Sequence, residues 1–180
     1  EIVYNGTFFN SFDYFPHVGY VKSVELDDPN ERRRRDLPPV QRFPKIDDAA
    51  ARADNYISSE ADWVRFATTV STSPDQIAIA PGYLQREWTA NGRRYFRYEM
   101  DAPIFDFFAY LSARYAVRRD RWNDVAIEID YHPDHAYNVD RMIAAVKNSL
   151  DYFTANFGPY QHRQVRIVEF PRYASFAQSF

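Results

Sequence analysis

The sequence predicts an α+β protein, mainly antiparallel β. Three observations carry that expectation. Apolar and polar residues alternate with a period of two through several runs between residues 63 and 131. Asn-Gly pairs at 5–6 and 91–92 punctuate such runs as hairpin turns do. One apolar stripe of helical period occupies 139–157, and a single short strand follows it.

The elements follow in chain order. Ile2-Val3-Tyr4, Asn5-Gly6 and Thr7-Phe8-Phe9 read as a hairpin whose turn residues take positive φ. Asn5-Gly6-Thr7 is also a glycosylation sequon, but the turn accounts for it without a glycan. Residues 15–20, FPHVGY, form a connector. Residues 27–45 hold four prolines and two charge blocks with almost nothing to bury, which predicts a surface excursion. Asp47 is placed to cap a short helix through DDAAARADNY.

Val64, Phe66, Thr68 and Val70 then share one face of a strand, and Ile77 and Ile79 share another before Pro81-Gly82. YLQREWT and RRYFRYEM flank Ala90-Asn91-Gly92 as a second hairpin, with Phe96, Tyr98 and Met100 on one face. Residues 104–122 suit a helix through Phe107, Leu111 and Tyr115, or a strand through their aromatics. In DVAIEIDYH, Val125, Ile127 and Ile129 point one way, Glu128 and Asp130 the other.

The stripe Val139, Met142, Ile143, Val146, Leu150, Phe153 and Phe157 predicts a helix capped by Asn138. Asp140 sits in its first turn, where the helix dipole favours an anion. Gly158 closes the helix in a left-handed conformation and Pro159 forbids its continuation. Val165 to Phe170 forms a strand apolar on both faces, with Glu169 paired there or at the strand's open end.

Composition narrows the function classes. At 180 residues the chain is one domain or two small ones, and can bury about 70% of its unfolded surface. A net charge of −3 supplies no global basic field, so no nucleic-acid partner is expected. Arg32 to Arg35 form one basic run, offset by Asp27, Asp28, Glu31 and Asp36, and read as a solvated loop. The absence of cysteine excludes disulfides, thiolate nucleophiles and Cys-ligated metal. No run is long enough for a transmembrane helix. His132 and His135 flank Pro133 in a turn and lack an evident third ligand, so they read as solvated rather than metal-binding. Phe107, Phe108 and Tyr110 are expected in the core rather than on a stacking platform. No H-E-x-x-H, G-x-S-x-G, G-x-G-x-x-G or Walker-type loop occurs, so the chain carries no complete catalytic site.

LDYFTANFGPYQHRQVRIVEFPRYASFAQSF resembles the aminopeptidase N family of zinc metallopeptidases, in which an amphipathic helix ends in a Phe-Gly-x-Tyr-Pro-like turn before such a strand. VSTSPDQIAIAPGYL is similar to the closing hairpin of that family's saddle-shaped β domain. FFAYLSARYAV and VAIEIDYH are similar to the first strands of its catalytic domain, which tilts residues 104–122 toward strand. The resemblance spans residues 62–180. It implies two parts, 1–103 from the end of the β domain and 104–180 from the start of the catalytic domain.

The chain, which opens on Glu1, is then an interior piece of a zinc peptidase or close relative, with the zinc ligands beyond Phe180 and no cofactor of its own. More narrowly, it resembles a bacterial group in which this region follows transporter-like membrane helices. That implies a soluble extracytoplasmic region partnered by the rest of its own polypeptide. Ala177, Gln178 and Ser179 stand where the family's substrate-binding G-x-M-E-N strand stands. Ser179 replaces the Glu that holds the substrate's amino group, and losing that bond costs about 1.5–3 kcal/mol. The alternative is a peptidase-like docking module that has lost catalysis.

Overall fold

The computed structural model describes residues 2–3, 6–11, 25–40, 44–53 and 63–171. The chain is α+β and mainly antiparallel. Strands β1 (Ile2–Val3), β2 (Gly6–Asn10), β5 (Ile77–Ile79) and β9 (Ala109–Ala113) form one sheet in the order β1-β2-β9-β5. Strands β4 (Ala67–Thr72), β7 (Arg93–Glu99) and β6 (Tyr83–Ala90) form a second, and β3 (Trp63–Val64) pairs with β8 (Ile104–Phe105). The third sheet joins β10 (Ala116–Trp122), β11 (Val125–Tyr131) and β12 (Gln164–Val168). There β10 runs antiparallel to β11, and β12 runs parallel to it. The β2-β9-β5 ladder crosses position 103, because β9 lies beyond it while β2 and β5 lie before it.

Both hairpin signals mark antiparallel strand pairs, but Gly6 does not serve as a turn residue. Asn91 (φ 51°) and Gly92 (φ 72°) form the two-residue loop between β6 and β7, with positive φ at both positions. In the first hairpin Val3 pairs with Gly6, which puts Gly6 in the strand rather than the turn. Gly6 answers a different need, close approach. A Cβ there would stand 1.9 Å from the Ser112 carbonyl oxygen of β9. Asn5 lies outside the described residues.

Residues 104–122 form three strands joined by short irregular links and no helix, because β9 is flanked on both sides and its alternation is satisfied twice. Ala109, Leu111 and Ala113 are all buried. Phe108 packs edge-on against Phe66 with ring centroids 4.8 Å apart. With Phe96, Tyr98, Ala78 and Ala80 these rings make the core beneath the β4-β7-β6 sheet.

The long helix α2, Val139–Phe157, has the expected bounds, though Asn138 makes no side-chain cap bond. A 3-10 turn, Pro133–Asn138, leads into it instead, and His132 caps that turn by accepting from the Asp134 N–H. Gly158 ends the helix at φ 120°, ψ 174°, a positive-φ but extended geometry rather than the left-handed helical one. Val139 and Ile143 pack on Ile127, Ile129 and Ile167 of the third sheet. The stripe is covered only part of the way: Phe153 and Phe157 are exposed.

Two further expectations shift. The 27–45 excursion contains a short helix α1, Pro29–Arg34, capped by Asp28. Arg32 in it is not solvated but 6% exposed, paired with Glu25 at 2.7 Å and donating to the Pro38 and Leu26 carbonyls. Three donor bonds offset the desolvation that burial imposes on the guanidinium. Arg34 and Arg35 pair with Glu31 on the surface, as the charge-offset reading requires. Asp48, not Asp47, accepts from the Ala50 and Ala51 N–H groups, and the described part of that helix is a 3-10 turn, Ala51–Ala53, while residues 54–56 lie outside the described residues. Among the described residues no helix is long and apolar enough to cross a membrane.

Candidate functional site

The predicted substrate-side residues Ala177, Gln178 and Ser179 lie outside the described residues. The structure gathers its polar chemistry instead on the second face of β11 and at the ends of β11 and β12.

On β11, Ile127 and Ile129 face α2. Alternation turns Glu128 and Asp130 to the opposite face, as the sequence reading requires. That face is not solvent. Val168 of β12 reaches from the same side into the cores formed by Phe8 and Leu111 and by Ile79 and Tyr115. The third sheet is therefore covered twice, by α2 and by the β2-β9-β5 layer. Asp130 between them is 1% exposed.

Burial and the neighbouring Glu128 push the Asp130 carboxyl up to about 7, against the downward pull of Arg166 and Arg119. Arg166 Nε donates to Glu128 Oε1 at 3.0 Å and stands 4.0 Å from Asp130 Oδ2. Arg119 Nε donates to the other Glu128 oxygen at 2.6 Å. Asp130 Oδ2 has no hydrogen-bond partner among the described residues. Two buried phenols border the group. Tyr98 donates to the Ala78 carbonyl at 2.9 Å and carries the Arg166 guanidinium 5.4 Å from its ring centroid. Tyr115 donates to the Glu169 carbonyl at 2.9 Å. Desolvation pushes Tyr98 up to about 12 and raises Tyr115 further, so both remain protonated donors.

Glu169 lies one residue past β12 and ties that strand's end to the end of β11. Its N–H donates to the Asp130 carbonyl, and its Oε2 accepts the His132 N–H at 2.7 Å. Its Oε1 contacts His135 Nδ1. The two readings of Glu169 thus hold together: it is at the strand's open end and it is paired. The two imidazoles are tilted by 41° with centroids 5.0 Å apart. Among the described residues no three His, Asp or Glu side chains converge as a metal site.

A groove of about 540 Å³ runs along the outer side of β12. All five residues of the strand line it, facing Gly82, Tyr83, Met100 and Ile104. Arg166 thus borders both this groove and the buried acid. The parallel ladder turns the backbone of Val165 and Ile167 toward β11. It turns the N–H and C=O groups of Arg166 and Val168 outward, and β12 is the last strand of its sheet among the described residues.

Sequence reasoning missed Asp130. The available signal was the strand predicted apolar on both faces: a neighbour in the same sheet shares both covers. No family model matches this chain, and no curated protein does.

Proposed function

We propose that this chain forms the sheet-and-helix wall beside the cleft of a peptidase of the aminopeptidase N type, and that the zinc chemistry belongs to residues outside these 180. One observation supports the reading most. A β-hairpin, the long helix and a parallel return strand follow one another in the order the resemblance implies, and among the described residues no strand pairs with the outer edge of the return strand, which lies beside an apolar groove. An open edge of that kind is suited to further extended chain, whether the sheet's continuation or a peptide. The described residues assemble no three-ligand set for zinc.

The test is metal analysis with an aminoacyl reporter assay on the 180-residue chain, repeated on a polypeptide extended past Phe180. The expected result is no stoichiometric zinc and no cleavage in the shorter protein, with one zinc per chain in the longer. One tightly held zinc in the shorter protein overturns the reading, as does an extended protein that takes up none.

A further inference from the structure

Asp130 is an acid held at the joint between two layers, and the described elements around it direct their hydrogen bonds elsewhere. From β11, Glu128 takes both guanidinium bonds: Arg166 of β12 at 3.0 Å and Arg119 of β10 at 2.6 Å. From β7, Tyr98 gives its proton to the Ala78 carbonyl, and beyond β9 Tyr115 gives its own to the Glu169 carbonyl. Glu169 holds His132 and His135. Among the described residues Asp130 Oδ2 has no hydrogen-bond partner, and it stands 4.0 Å from Arg166 Nε. Closing that gap to hydrogen-bond length takes a movement of about 1 Å.

We propose that Asp130 is a proton-operated catch: neutral, it lets the β10-β11-β12 sheet close on the antiparallel layer, and ionised, it draws Arg166 away from Glu128 and shifts the wall of the β12 groove.

The chemistry favours a catch over a fixed ion pair. A neutral carboxyl tolerates burial beside Tyr98 and Tyr115, whereas an ionised one needs a donor that Oδ2 lacks among the described residues. Its proton is retained to about pH 7, against an ordinary 3.8. The folded chain therefore binds more protons than the unfolded chain between those values. The stabilisation is full below 3.8 and is lost as pH rises to about 7. Across that window the catch alone raises the unfolding equilibrium constant by about tenfold per pH unit. The groove responds to the same proton because Arg166 lines it.

Carboxyl 13C titration of the chain, read beside the Arg166 Nε–H resonance, tests this. Both are expected to move together with a midpoint near neutral, and Asp130→Asn is expected to abolish the Arg166 shift. The urea-unfolding profile of the parent is expected to lose stability with pH relative to Asp130→Asn. Glu128→Gln removes the like charge and frees Arg166, so it is expected to lower the Asp130 midpoint. An Asp130 midpoint in the ordinary carboxylate range, an Arg166 signal indifferent to pH, parallel unfolding profiles, or a midpoint unmoved by Glu128→Gln each overturns the proposal.

Discussion

Gly6→Ala isolates how closely β2 lies on β9. Gly6 has no positive φ, so alanine fits its backbone conformation. The obstacle is space: the new Cβ would stand 1.9 Å from the Ser112 oxygen and 2.8 Å from Ala113 Cβ. Carbon and carbonyl oxygen ordinarily approach no closer than about 3.3 Å, so the strands must part by more than 1 Å. That separation weakens about two ladder bonds at about 1 kcal/mol each. It also adds an overpacking cost of about 1–3 kcal/mol as the Phe8–Leu111 contact shifts. The expected loss is about 3–5 kcal/mol, the sum of those two costs.

Gly92→Ala is the control. Its Cβ meets nothing within 4 Å, but φ is +72°. It should cost only the left-handed backbone penalty of about 1–2 kcal/mol. Urea denaturation followed by tryptophan fluorescence measures both. If Gly6→Ala costs no more than Gly92→Ala, the close approach of β2 to β9 is wrong.

Phe96 is 1% exposed, so Phe96→Ala should cost about 3–5 kcal/mol in the same assay. Phe157→Ser should change folding stability by less than about 0.5 kcal/mol, because Phe157 is 77% exposed despite its place in the apolar stripe. Tyr115→Phe removes the donor to the Glu169 carbonyl and should cost about 1–3 kcal/mol, with amide exchange accelerating at residues 168–170.

Some of this was local and therefore legible. The Asn91-Gly92 turn follows from the positive φ those residues accept, and the bounds of α2 follow from a stripe that ends at Gly158-Pro159. The alternation of β11 gave its two faces correctly. Position 104–122 could not be decided locally, since Phe107, Leu111 and Tyr115 match both periods. Pairing with β2 and β5, about 100 and 35 residues away in sequence, chose the strand.

The sequence by itself determined the class of fold, the Asn91-Gly92 hairpin, the long helix with the strand that follows it, and the absence of any complete catalytic motif in these residues. Tertiary structure alone decided that β12 runs parallel to β11, that Arg32 is buried, that Phe153 and Phe157 are not, and that Asp130 sits between layers. The physical reason is the same in each case. Periodicity states which side chains share a face, but burial depends on what distant chain covers that face, and only the assembled layers set the dielectric around a charge.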